Sequence, residues 1–369
     1  MRVLVIDDSA FMRKMITRMI EETRGLEVVG QARNGREGVE LAEKLKPDLI
    51  TLDIEMPELD GLGALRQIRV RCRKEDPAVL MCSSLTTEGS AEALKALRLG
   101  AADVIAKDPA LVGKNDDGFR NELITKLKTI GTSRSQRRRA GAAPTEPGQP
   151  IARADAPPPK DIDLAGVDAV LIGSSTGGPP VLEDILAPLP AGLRVPVFVA
   201  QHMPAVFTKT LASRLDQHCA NGARLITEPT MIERPGIYVA EGGRHLHLEN
   251  VRGGIRAEMR TEPADALYRP SVNVLFSTGA KAFRGRVLGI QLTGMGDDGA
   301  KGAADLRRAG GRVIAQHEST CVVYGMPKAV VESGQADGVM TPSQIAGVLT
   351  GLCGPAGSRR SSEEFRKSA

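Results

Sequence analysis

Residues 169–180 read AVLIGSSTGGPP, an apolar run that breaks into two serines and a threonine bracketed by glycines and then meets a pair of prolines. Such a run before a glycine-rich turn and a stretch able to open a helix predicts a strand-to-helix junction, the unit from which a parallel α/β sheet is built. Glycine tolerates positive φ and lets other groups approach the backbone closely, so the hydroxyls here could cradle a phosphate, present a nucleophile or simply turn the chain. A phosphate loop of the form G-x-x-x-x-G-K-[ST] is ruled out, because no lysine follows Gly173 before Pro179. The dinucleotide pattern G-x-G-x-x-G fails because Ser175 stands at its second glycine position. What fits is G-x-S-x-G over residues 173–177, in which a tight elbow exposes a serine. Five residues alone leave a plain turn with capping hydroxyls equally open.

Outward from that turn the same alternation runs from Val167 to about Leu352. Strands are expected at VPVFVAQ, ARLIT, GIYVA, VLGIQLTG and RVIAQ, helices at FTKTLASRLDQHC, VNVLFSTGAKAF and AADLRRAG, and an antiparallel hairpin at HLHLENVRGGIRAEM. Residues 1–130 hold a second alternation of five strand-then-helix units, beginning at VLVID, which predicts another parallel sheet covered on both faces. Between the two, residues 131–166 turn to Pro, Gly, Ala and charge without apolar periodicity and read as an extended linker. Residues 353–369 read as a polar, disordered tail. The expected fold class is therefore α/β, two doubly wound parallel sheets, the second with an antiparallel hairpin.

Composition narrows the function. At 369 residues the chain is long for one domain, and 41% hydrophobic with 25% charged residues is ordinary for a globular protein. No apolar run approaches the roughly 20 residues of a membrane span, and MRVLVIDDSA meets two aspartates too early for a signal peptide. A cytoplasmic protein without membrane insertion is expected. The five cysteines are scattered, without CxxC or paired-histidine spacing, so neither a disulfide framework nor a zinc site is expected. The formal charge of +4 equals the excess within residues 131–153, where Arg134, Arg137, Arg138, Arg139 and Arg153 face Glu146. The run RSQRRR thus reads as a solvated linker cluster rather than a nucleic-acid surface.

Ligands of open parallel sheets sit at the carboxyl ends of strands. In the first half those ends carry Asp7 and Asp8, Asp53, Ser83 and Lys107. Three gathered carboxylates call for a hard cation with oxygen ligands, for which Mg²⁺ is suited, and one of them beside that cation could accept a phosphoryl group. In the second half a serine needs a base, and a base needs an orienting acid. Among the five histidines His218 falls on a helix, His245 and His247 in the hairpin and His317 beyond RVIAQ, whereas His202 directly ends a strand in VPVFVAQHMP. Asp297 and Asp298 in LTGMGDDGAKG follow another strand, in a turn whose glycines could also aim N–H groups at an oxyanion. The order Ser175, His202, Asp298 differs from the Ser, acid, His order of ordinary esterases with the same elbow.

The stretches VLVIDDSAFMRK, DLITLDIEMPELDGL, SS after the fourth strand and AK after the fifth resemble the receiver domain of two-component response regulators. That resemblance implies Asp53 as phosphoacceptor, Asp7, Asp8 and Asp53 with the backbone carbonyl of Glu55 around Mg²⁺, and Ser83 and Lys107 on the phosphoryl group. KDPA departs from the Lys-Pro usual there. IGSSTGGP, QHMP, LTGMGDDGAKG, YRPSVNVLF and VVYGMP resemble the catalytic domain of the CheB family of chemotaxis methylesterases. This second resemblance implies Ser175 as nucleophile, His202 as general base and Asp298 as its orienting acid, with N–H groups near Thr176 and Met295 at the oxyanion. It further implies hydrolysis of glutamate methyl esters on chemoreceptors, deamidation of receptor glutamines, no cofactor for the esterase step, and a CheA-type histidine kinase as phosphodonor. Asn273 and His317 stand where an acid is common in that family. With receiver and hydrolase on one chain, the unphosphorylated receiver is expected to restrain the esterase and phosphorylation at Asp53 to release it.

Two other readings stay open on the residues alone. A binding module that kept the fold without turnover would leave Ser175 unlabelled by a serine-directed phosphonate. A receiver-controlled nucleic-acid binder would need salt-sensitive DNA binding through RSQRRR, yet no helix-turn-helix pattern follows the receiver. Monomer is the default expectation.

Overall fold

The computed structural model of the chain describes residues 1–107, 117–139 and 162–354. It divides into two units, Met1–Gln149 and Pro150–Ala369. In the first, β1 (Arg2–Ile6), α1 (Ala10–Glu21), β2 (Glu27–Ala32), α2 (Gly35–Leu45), β3 (Leu49–Asp53), α3 (Gly61–Arg71), β4 (Ala78–Ser84), α4 (Thr87–Arg98), β5 (Asp103–Lys107) and α5 (Asp117–Arg139) follow in turn. The sheet order is β2-β1-β3-β4-β5, every pair parallel. All of β3 and nearly all of β1 and β4 are buried, as expected of strands covered on both faces. Helix starts are set by side chains: Ser9, Asn34, Asp60 and Thr86 each accept an N–H from the first turn of α1 to α4.

The second unit runs β6 (Ala169–Ser174), α6 (Gly178–Leu186), β7 (Val197–Gln201), α7 (Ala205–His218), β8 (Ala223–Ile226), β9 (Thr230–Ile232), β10 (Ile237–Ala240), β11 (His245–Val251), β12 (Gly254–Arg260), α8 (Val272–Ala282), β13 (Val287–Gln291), α9 (Ala300–Arg308), β14 (Arg312–Gln316), α10 (Met326–Glu332), β15 (Gly338–Met340) and α11 (Pro342–Thr350). Seven strands form a parallel sheet in the order β15-β14-β13-β6-β7-β10-β8. The chain enters at β6, builds outward through β7, then returns to the other side of β6 through β13. The reversal puts the crevice at the carboxyl ends of β6 and β13. The AVLI run is β6, buried throughout, and the glycines after it are the turn into α6.

The structure bears out the hairpin and adds to or alters the sequence expectations in detail. The antiparallel hairpin of β11 and β12 is present, and it lies in a separate three-stranded sheet in which β12 is central and also pairs with β9. Its buried face, with Leu246, Leu248, Ile255, Ala257 and Met259, shares one core with Leu275 and Phe276 of α8. The short elements β9, β15, α10 and α11 carry too little periodicity to have been read. The linker expected from residue 131 begins later, because α5 stays helical to Arg139. Burial explains it: a Cβ on Gly131 would strike Met1 Sδ, and Arg134 donates to the carbonyls of Asp48 (2.8 Å) and Glu75. Most of the linker and the polar tail, and the KDPA loop beyond Lys107, lie outside the described residues.

Candidate functional site

At the β1/β3 crevice the first unit gathers acid. Carboxylate oxygens of Asp7, Asp8 and Asp53 all lie within 4.8 Å of one another. Lys107 at the end of β5 places Nζ 2.7 Å from Asp7 Oδ2 and 2.7 Å from Asp53 Oδ2. Burial first, then the charges of Asp7 and Asp8, push the Asp53 carboxyl up to about 6 against the pull of Lys107. Carboxylates this close repel, and the set fits a hard divalent cation that would relieve the repulsion. The carboxylate of Glu55 stands outside the cluster and accepts from Ser84 Oγ at 3.2 Å, which leaves its main-chain carbonyl as the group implied for a cation. Ser83 is not brought onto Asp53: its hydroxyl donates to the Gly89 carbonyl at 2.9 Å.

The second unit assembles its site from three strand-end turns. Ser175 follows β6, its N–H donating to the Thr293 carbonyl at 3.0 Å. Gly177 then takes φ +77°, a conformation that favours glycine, and a Cβ there would lie 2.4 Å from Val322 Cγ2. His202 follows β7, its N–H donating to the Ser174 carbonyl at 3.0 Å. Asp298 follows β13. His202 Nε2 lies 2.8 Å from Asp298 Oδ2, and His202 Nδ1 is buried without a hydrogen-bond partner among the described residues. That pairing fixes the neutral tautomer: Nε2–H donates to the carboxylate and the basic lone pair is on Nδ1. The structure thus joins His202 to Asp298 and leaves the link from Ser175 to His202 Nδ1 unmade.

Asp298 is held at the amino end of α8. Ser271 Oγ and the Asn273 N–H donate to Oδ1 (2.9 and 3.0 Å), and the Val272 N–H to Oδ2 (2.7 Å). Burial opposes its ionisation, but His202 and the helix N–H groups outweigh burial and hold the carboxyl below its ordinary range. The Gly294 turn comes close to Ser175: a Cβ on Gly294 would lie 2.8 Å from Ser175 Cβ. Only glycine admits that approach.

Two groups at the site, Tyr268 and Gln201, went unread in the sequence. Tyr268 stacks on the His202 ring at 4.4 Å between centroids. Gln201, buried at the end of β7, donates through Nε2 to the carbonyls of Ser175 (3.0 Å) and His202 (3.2 Å) and accepts from Ser174 Oγ (2.6 Å). One side chain therefore ties the Ser175 turn to the His202 turn. A signal existed, since VFVAQ, VLGIQ and RVIAQ each end a strand on a glutamine, and all three are buried. Asn273 Oδ1 accepts from the N–H groups of Gly299 (3.0 Å) and Gly302 (2.8 Å), fixing the turn that bears Asp298. His317 only caps the short 3₁₀ turn at residues 318–320.

A family model described as CheB methylesterase matches residues 170–349, and one described as response regulator receiver domain matches residues 3–112. The protein-glutamate methylesterase/protein-glutamine glutaminase 1 of Oleidesulfovibrio alaskensis is 43% identical over 361 residues, covering 94% of this chain and 97% of its own length. The protein-glutamate methylesterase/protein-glutamine glutaminase of Archaeoglobus fulgidus is 42% identical, covering 94% of this chain and 96% of its own length. The crystal structure of the Thermotoga maritima CheB methylesterase catalytic domain is 39% identical and covers 50% of this chain and 98% of that one, with a TM-score of 0.48.

Proposed function

The chain belongs to the family of receiver-bearing protein-glutamate methylesterases/protein-glutamine glutaminases, and we propose that Ser175, His202 and Asp298 are the groups with which it does that chemistry. The enzyme hydrolyses glutamate methyl esters to glutamate and methanol and deamidates glutamine. His202 Nδ1 takes the proton of Ser175 Oγ as that oxygen attacks the ester carbonyl. The imidazolium, held by Asp298 through Nε2–H, then returns the proton to the departing methoxide, and methanol leaves an acyl-serine. Water deprotonated by the same Nδ1 attacks the acyl carbonyl, the imidazolium gives that proton to Ser175 Oγ as the acyl–oxygen bond breaks, and the product carboxyl loses its own proton to solvent as glutamate is released. With a glutamine substrate the proton goes to the nitrogen and ammonia leaves. Main-chain N–H groups near Thr176 and Met295 would stabilise the developing oxyanion.

In the receiver, Asp53 accepts the phosphoryl group from a histidine kinase, and Lys107 neutralises its charge once released from Asp53 and Asp7. A bound Mg²⁺ would supply charge neutralisation there, held by the carboxylates of Asp7, Asp8 and Asp53 and the carbonyl of Glu55. Ser83 reaches the phosphoryl group by giving up the Gly89 carbonyl. The substrates are the methylated glutamates of chemoreceptors, reached from the cytoplasm. Among the described residues no helix is long and apolar enough to cross a membrane.

The observation that most supports the hydrolytic reading is the 2.8 Å His202–Asp298 pair with Nδ1 buried and unpartnered at the strand edge that bears Ser175. A fluorophosphonate should label the intact protein at one residue, Ser175, as located by peptide mass spectrometry. A label on another residue, or none, would contradict it.

A further inference from the structure

His245 opens β11 with its ring fully buried. Nδ1 accepts the Ser271 N–H at 3.1 Å, which puts the lone pair on Nδ1 and the proton of the neutral ring on Nε2. Ser271 is the N-cap of α8 and donates through Oγ to Asp298, and the next two N–H groups of that turn donate to the same carboxylate. Asp298 holds His202. A line of hydrogen bonds thus runs from the small antiparallel sheet, through the amino end of α8, to the imidazole. Resting on the assignment of Ser175, His202 and Asp298 as the reacting set, we propose that His245 is a positioning residue of the hydrolytic site: by anchoring the Ser271 amide it sets how α8 grips Asp298, and so how Asp298 orients His202.

A carboxylate orients an imidazole only as firmly as it is itself fixed, and all three helix donors to Asp298 come from the turn that His245 anchors. The anchor works only in the neutral ring, since protonation would remove the accepting lone pair. Burial pushes His245 below its usual value, Arg269 and His247 add to that shift, and the Pro263 carbonyl and Asp298 oppose it. The ring therefore stays an acceptor through neutral pH.

Three full-length variants separate positioning from mere packing. His245→Asn keeps an amide oxygen near the position of Nδ1, His245→Gln carries its amide nearer to Nε2, and His245→Leu keeps neither. The readout is the rate of fluorophosphonate labelling of Ser175 against pH. In Leu and Gln the plateau should fall about tenfold, the size of one lost buried hydrogen bond. The ascending limb should also move to lower pH, because a loosely held Asp298 stabilises imidazolium less. In Asn both should return, with a rate within about threefold of the wild type. Equal losses in Asn, Gln and Leu would overturn the proposal, as would a loss uniform in pH. If Leu does not fold, Gln against Asn carries the comparison. Labelling needs no receptor, so a wild type that labels but releases no methanol would count against the substrate and not against His245. A wild type that does not label would overturn the assignment of the reacting set, and this proposal with it.

Discussion

Asp53 carries its charge at a cost set first by its burial and then by the charges of Asp7 and Asp8. Its carboxyl, raised from 3.8 to about 6, holds a proton over a pH range in which the unfolded chain has lost it. Between those values the native state binds more protons than the unfolded one, so stability falls as pH rises from about 4 to about 6 and stays lower above. We expect Asp53→Asn to remove that loss and to stabilise the first unit by about 1–3 kcal/mol at pH 7. Mg²⁺ should narrow the gap by stabilising the wild type more. Thermal unfolding with and without the cation checks both, and an Asp53→Asn protein no more stable than wild type at pH 7 would contradict the reading. This cluster was legible because each member ends a strand, where a parallel sheet collects its ligands. His245 was not legible: it lies in a hairpin far from Asp298 in sequence, and only the docking of β11 on α8 shows what its ring does. Ser83 was legible as a member of the edge, but not the carbonyl on which its hydroxyl rests.

At the scale of elements, α8 and α9 hold the acid between them. Gly299, the N-cap of α9, takes φ +110° and has no side chain to cap the helix, so Asn273 from α8 accepts the N–H groups of Gly299 and Gly302 instead. Losing that cap should cost about 1–2 kcal/mol. Asn273→Ala should therefore unfold the second unit earlier and lower turnover, since the freed turn carries Asp298, whereas Asn273→Asp keeps an acceptor and should recover the stability. Melting curves of both variants decide it; an alanine protein that melts with the wild type would show the cap to be idle. Strand-to-helix turns were readable because glycine and hydroxyl residues punctuate apolar runs. The end of α5 was not, since RSQRRR shows no apolar face: the helix is anchored near Gly131 by close packing and at Arg134 by main-chain carbonyls, neither of which leaves a periodic mark.

Over the whole molecule, a receiver unit and a methylesterase unit share one chain, and each gathers its candidate site where its sheet order reverses. Coupling between sites in other proteins is worth about 1–3 kcal/mol, or roughly 5- to 150-fold in an equilibrium. Phosphorylation of Asp53 should therefore raise esterase activity within that range and not switch it from nothing. Methanol release from methylated chemoreceptor membranes reports on Ser175 and on the substrate together. Wild type and Ser175→Ala are compared at equal concentration, with Mg²⁺, and with and without a small phosphodonor. We expect release by the wild type that rises with the donor, and none above background from Ser175→Ala under either condition; equal release by the two proteins would contradict the assignment of Ser175.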